Sequence, residues 1–217
     1  MPYFRERTHS GLKGRLRFPF LVEEEARYES PLKQRNVDFA LRWAHNVGVW
    51  DFGVYHFYGT NREPRYTPNV TASGEVRLTP NYDLVHQTGF ESQLTIEGLL
   101  VKFEFLSRHW QPRHYVALVG GFEYTFNGIL ESATDLGFIM EYAYDNRRDQ
   151  ATTPFENDLF TGFRFAFNDI EDTQILGGMV SDLDSSSKFV NLEANRRIGD
   201  HFLVTLEVRG FLLHLQG

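Results

Sequence analysis

A chain of 217 residues with 20 Phe, 10 Tyr, 3 Trp and a formal net charge of −7 holds too much apolar surface to stay disordered, so a packed or membrane-embedded fold is required. The absence of cysteine excludes disulfides, thiolate metal sites, iron–sulfur clusters and cysteine nucleophiles. The acidic balance excludes a general nucleic-acid binder, which needs clustered Lys and Arg to neutralise phosphate.

Mean hydropathy is −0.38, and no run approaches the roughly 20 apolar residues of a membrane-spanning helix. A transmembrane β-barrel escapes that test, because only alternate residues face lipid. At the N-terminus, Met1-Pro2-Tyr3-Phe4-Arg5-Glu6-Arg7 lacks the apolar stretch of a secretory signal peptide. Residues 1–36 are polar and irregular. From 37 to 211 the dominant signal is period-two alternation, repeated about ten times between turn residues, which predicts strands.

Over 37–46, Val37, Phe39, Leu41 and Trp43 share one face, with Asp38, Ala40 and Arg42 on the other. The repeats over 49–59 (Trp50, Asp51, Tyr58) and 82–96 (Glu91) are less clean. Over 101–107, Val101, Phe103 and Phe105 oppose Lys102 and Glu104. Over 115–126, Val116, Leu118, Phe122, Tyr124 and Phe126 oppose Glu123 and Thr125. Over 136–145, Leu136, Phe138, Met140, Tyr142 and Tyr144 oppose Glu141 and Asp145. Then Phe163, Phe165 and Phe167 oppose Arg164, a blurred repeat follows over 173–182, and Val190, Leu192 and Ala194 oppose Asn191, Glu193 and Asn195. Last, Phe202, Val204, Leu206 and Val208 oppose Thr205, Glu207 and Arg209. No segment has the helical spacing and caps that would support a helix-rich fold. The predicted class is all-β.

The connections alternate too. Val47-Gly48, Glu97-Gly98, 168–172 and 198–200 are short and 127–135 intermediate, whereas 60–81, 109–114, 146–157 and 183–188 are polar and mostly longer. Outer-membrane barrels show this asymmetry, with short periplasmic turns and longer extracellular loops. Alternation alone fits either a soluble barrel with an apolar interior or a membrane barrel with the faces inverted. The membrane reading is favoured by repeats near the 9–11 residues of a tilted spanning strand. It is favoured also by aromatics toward segment ends, and by charges confined to a face that carries small residues such as Gly53, Gly89, Gly121, Gly137, Ala143 and Gly162. The soluble alternative is a β-barrel that binds an apolar small molecule.

The stretches "VDFALRWAHNVGVWDFGVYHFYGTNREPRY", "GGFEYTF" and "DLGFIMEYAYDNR…PFENDLFTGFRFAFNDIEDTQILGGMV" resemble Gram-negative outer-membrane β-barrel proteins, in particular an uncharacterised porin-like proteobacterial group. The resemblance implies an up-and-down transmembrane β-barrel in the bacterial outer membrane, a passive or weakly cation-selective channel for small solutes, and contact with the lipid bilayer and lipopolysaccharide. It further implies that 1–36 is an extracellular loop that includes the end of an upstream strand, read from "PYFRERT". The ten repeats fall over 37–211 with a tail at 212–217. If both termini are periplasmic, the chain is a fragment of a barrel of 12 strands or more, and the tail lacks the terminal aromatic of the resembled class.

Asp38, Arg42, Asp51, Glu91, Lys102, Glu104, Glu123, Glu141, Asp145, Arg164, Glu193, Glu207 and Arg209 are the candidate lumen lining; nine acids against four bases predict a weakly cation-attracting interior. Trp43, Trp50, Tyr58, Phe103, Phe105, Tyr124, Tyr142, Tyr144, Phe163, Phe165 and Phe202 are the lipid-facing and girdle candidates.

Other chemistry is thinly supported. Asp182 and Asp184 precede a serine run but lack the rest of a calcium loop, and His109 and His114 lack a third zinc ligand. His56 with Ser92 or Ser107 would be needed for a membrane-embedded lipid hydrolase or acyltransferase, yet no G-x-S-x-G elbow accompanies them. No nucleotide-binding glycine motif occurs. No catalytic residue, cofactor or metal is predicted.

Overall fold

The computed structural model describes residues 3–11, 13–14, 18–110 and 113–212; the expected tail beyond Leu212 lies outside them. The chain is all-β. Its strands are β1 (Leu21–Val22), β2 (Arg27–Tyr28), β3 (Phe39–Val47), β4 (Trp50–Thr60), β5 (Arg65–Val70), β6 (Val76–Tyr82) and β7 (Leu84–Ile96). They continue with β8 (Leu99–Trp110), β9 (Arg113–Phe126), β10 (Asp135–Asp145), β11 (Asn157–Ala166), β12 (Gln174–Asp182), β13 (Lys188–Ile198) and β14 (Phe202–Leu212).

Ten strands form one antiparallel sheet in the order β14-β13-β12-β11-β10-β9-β8-β7-β4-β3. They coincide with the ten alternating repeats, although β11 starts earlier than expected and stops before Phe167. The expected closure into a barrel is not observed: among the described residues, β3 and β14 stand at the two edges of the sheet. The positive φ of the turns at Gly48 (62°) and Gly199 (59°) suits a residue without Cβ.

The stretch 60–81, expected as a loop, instead holds the β5–β6 hairpin. In the smaller sheet β6 pairs antiparallel with β5 and in parallel with β1 and β2. The 109–114 connection is shorter than expected as well, because β8 runs to Trp110 and β9 begins at Arg113. Residues 111–112 lie outside the described ones. At the other end, a one-turn 3-10 segment at Ile129–Glu131 fills a longer link. Only 61–83 and 146–156 exceed it, so the length asymmetry is weaker than the sequence implies.

The chain divides into two compact units. One comprises residues 1–42, 55–88 and 108–114, the other 43–54, 89–107 and 115–217. The first has a small aromatic core of its own. Phe4, Tyr82 and Val85 are buried, Phe4 packs edge-on to Tyr82 at 4.8 Å, and Tyr28 stacks on Tyr82 at 5.2 Å. The Tyr82 hydroxyl accepts the Arg7 N–H at 2.8 Å. Burial and the Glu6 carboxylate, which accepts the Tyr28 hydroxyl, push the Tyr28 phenol up.

The second unit is built differently. Tyr115 is its one buried apolar side chain among the described residues, and most of its aromatic and aliphatic residues lie on one face of the sheet. Register fixes that face, since directly paired residues share a side: Tyr124, Phe138, Phe163, Gly177, Leu192 and Val208 lie in one row across β9 to β14. Phe126, Leu136, Phe165, Ile175, Ala194 and Leu206 form the next. Phe138 is 42% exposed, Leu206 55% and Phe202 72%.

Candidate functional site

The opposite face of the second unit carries the charges. Glu123, Ile139, Gly162, Gly178, Asn191 and Arg209 form one row. The next is Thr125, Gly137, Arg164, Leu176, Glu193 and Glu207, and on the other side comes Gly121, Glu141, Phe160, Val180, Phe189 and Phe211. Within these rows Glu123, Glu141, Arg164, Glu193, Glu207 and Arg209 share the face, as the alternation implies.

Lys102, Glu123, Glu141 and Arg164 come together at a cleft of about 200 Å³. Arg164 and Glu123 form an ion pair of 3.4 Å. Glu193 accepts the Asn191 side-chain N–H at 2.9 Å, and Arg209 pairs with Glu207. Glycines keep room for these side chains. A Cβ on Gly137 would stand 2.8 Å from Glu123 Oε1, and one on Gly53 would stand 2.7 Å from Glu91 Oε1. Asp51 accepts the Asn46 side-chain N–H at 2.7 Å. Glu104 is exposed.

Two of the expected lining acids are occupied locally. In the first unit Asp38, only 5% exposed at its side chain, pairs with Arg62 at 2.5 Å and accepts the Thr60 N–H at 2.9 Å. Arg62 also lies over the Phe4 ring at 4.9 Å and the Phe57 ring at 5.9 Å. In the second unit Asp145, 2% exposed, takes two bonds from the Arg147 guanidinium, which sits 3.8 Å above the Tyr115 ring. Neither charge is left to attract a solute. Arg42 lies in the first unit, one residue before the boundary.

The girdle candidates make a few polar contacts and several ring contacts. Trp50 Nε1–H donates to Ser92 at 2.7 Å, and Trp43 packs edge-on to Phe52 at 5.6 Å. The Tyr142 hydroxyl donates to Asn157 at 2.8 Å, and Arg148 lies 5.5 Å from the Tyr144 ring. Tyr124 meets Phe126 at 4.7 Å, Phe163 meets Phe165 at 5.4 Å, and Phe103 packs against Phe90 at 6.2 Å. Phe105 is half-buried. Tyr58 lies 4.5 Å from His86, which the sequence reading passed over, and His56 accepts from or donates to Thr88 at 2.9 Å.

Asp182 accepts the backbone N–H groups of Asp184 and Ser185 and so holds its own turn, while Asp184 pairs with Arg148 and accepts the Asn157 side-chain N–H at 2.8 Å, tying that turn to the 146–156 connection. The His109 and His114 rings are 6.3 Å apart. Among the described residues no group of three or more His, Asp or Glu side chains could hold a metal ion.

Two residues outside the sequence-derived set complete the polar face. Asp158 on β11 is 7% exposed and stands opposite Asp182 on β12. Phe155, from the 146–156 connection, lines a cavity with it. The signal for Asp158 was the parity of Arg164 carried back along the strand, since residues 158 and 164 fall on one side. No protein-family model, curated protein or solved structure matches this chain.

Proposed function

We propose that the ten-stranded sheet is the wall of an outer-membrane β-barrel, with its apolar face against lipid and its charged face lining a water-filled lumen that passes small solutes with a weak preference for cations. The carrying observation is that the second unit buries almost no apolar side chain while one face exposes a continuous aromatic and aliphatic surface. Water is a poor solvent for such a surface, and contiguous exposed patches mark membrane or partner contacts. Strands of 9 to 14 residues are long enough to cross the hydrocarbon core at a tilt. In this reading the edges are paired in the bilayer, because unpaired strand edges cannot stand in hydrocarbon. Ten is an even number, so β3 and β14 run antiparallel and can join.

The charged face supports the channel role. Glu104, Glu141, Glu193 and the cleft around Lys102 leave acids in excess once Asp38 and Asp145 are discounted, which attracts cations. The deciding experiment is refolding into detergent, gel migration with and without heating, and conductance in planar bilayers under a salt gradient. Detergent dependence, a heat-induced shift and a cation-directed reversal potential are expected. A chain that is monomeric and folded without detergent overturns the reading and turns the aromatic face into an interior.

A further inference from the structure

We propose that the cavity beneath the 146–156 connection binds small organic cations with an apolar body, and that Asp158 is the carboxylate that holds the ammonium group. The cavity measures about 280 Å³. Its walls are apolar where Val119, Ala143, Phe155, Phe160 and Val180 meet, and its acidic members are Glu141, Asp145 and Asp158. An adjoining hollow of about 350 Å³ shares Phe155, Asp158 and Val180 with it.

The three acids differ in what neutralises them. Asp145 is paired with Arg147. Glu141 lies on the exposed side. Asp158 is more than nine-tenths buried, and no cation forms an ion pair with it among the described residues. Its carboxylate accepts the Asn157 N–H at 3.2 Å, and its cross-strand neighbour is another acid, Asp182. Lys188 lines the adjoining hollow, but its register partner is Ser181, which puts it on the opposite face of the sheet from Asp158.

A buried ionised carboxylate is costly unless a cation compensates it. A cation that compensated Asp158 would have an apolar recess beside it, with the Phe155 and Phe160 rings available to an ammonium group or its hydrocarbon body. An anion would face Asp158, Asp182 and Glu141 together. A neutral ligand of the same shape would gain only the apolar contacts. The recess therefore selects for positive charge combined with a hydrophobic group. The site lies on the face read above as the lumen, but it does not require a membrane current.

The test is calorimetric titration of the folded full chain in a neutral detergent with benzylammonium, benzyl alcohol and phenylacetate. Benzylammonium is expected to bind saturably, with benzyl alcohol weaker by about tenfold, the scale of one charge-assisted contact, and phenylacetate not competing. D158N is expected to remove that tenfold preference. A143L, which fills the recess and leaves Asp158 in place, is expected to abolish benzylammonium binding, and it serves where D158N does not fold. Equal binding of phenylacetate, unchanged affinity in D158N, or unchanged affinity in A143L overturns the proposal. Binding without conductance would count against the channel reading alone, and conductance without binding against this site alone.

Discussion

Glu123 on β9 and Arg164 on β11 form an ion pair of 3.4 Å across the strand that separates them, and the residue they cross is Gly137. The pair exists because position 137 has no side chain; a Cβ there would stand 2.8 Å from the Glu123 carboxylate. This is the physical content of the small residues on the charged face. They make room for neighbours to reach across the sheet.

A double-mutant cycle of E123Q and R164Q is expected to give a coupling of about 0.5–1 kcal/mol, because the Arg164 side chain is half exposed and water screens the pair. In the G137V background the coupling falls to zero. Urea unfolding of the refolded protein measures both. A coupling that survives G137V would show that the pair forms by another route.

Trp43 and Trp50 lie on the apolar face beside the Gly48 turn. In a W110F variant reconstituted in brominated lipid, their emission is expected to be quenched by the lipid and shielded from aqueous iodide. The reverse pattern in the same samples would place this face in water.

Arg147 joins Asp145 to the Tyr115 ring. R147K keeps the charge but loses the two-pronged bond and the planar stack, and is expected to cost about 2 kcal/mol. R147A, which strands a buried carboxylate, is expected to cost more, about 3 kcal/mol. Thermal unfolding of the three proteins at one pH tests the order. Equal stability of wild type and R147K would remove this strut from the account.

The Thr79 hydroxyl, and then the Asn69 side chain, hold the Glu23 carboxyl below its ordinary 4.5. A depressed folded pKa means that this contribution is fully present above pH 4.5 and is lost as pH falls through the lower folded value. Docking of β1 on β6 is therefore expected to loosen in acid in the wild type, and to be equally loose at neutral pH and in acid in E23Q. Hydrogen exchange at the Glu23 amide, which donates to Leu78 at 2.9 Å, reads this directly. A wild-type protection factor, corrected for the intrinsic pH dependence of amide exchange, that does not fall in acid would refute it.

Strand identity and side were legible in the sequence wherever one face was chemically uniform. From Glu123 to Arg209 the parity of charge against aromatic agrees with the register over most of each strand, with Phe160, Phe189 and Phe211 on the charged face and Lys188 on the other among the exceptions. Legibility failed where alternation was broken for local reasons. The β5–β6 hairpin carries Pro68 and Pro80 among polar residues, so it reads as a loop; Pro68 lies on the edge strand β5, and Pro80 falls where β6 passes from β1 to β2 as its partner. The neutralisation of Asp38 by Arg62 and of Asp145 by Arg147 was equally hidden, because the arginines lie in connections whose path no periodicity describes. Closure of the sheet was not legible either. Alternation is a property of each strand, whereas closure depends on how the last strand meets the first.

The β5–β6 hairpin also bears on the order in which the chain assembles. Every neighbouring pair in the ten-stranded sheet is consecutive in the large sheet's run of strands, and all but β4 and β7 are joined by a single turn or loop. That pair must wait until residues 61–83 have been looped out, and loop closure carries an entropic penalty that local hairpins avoid. A hairpin formed early within this segment, clasped by the bond from the Thr71 amide to Glu75, draws its two ends toward each other before β7 arrives. Opening the hairpin without shortening the excursion is therefore expected to slow the joining of β4 to β7, and it would also remove the partner on which β1 and β2 pair.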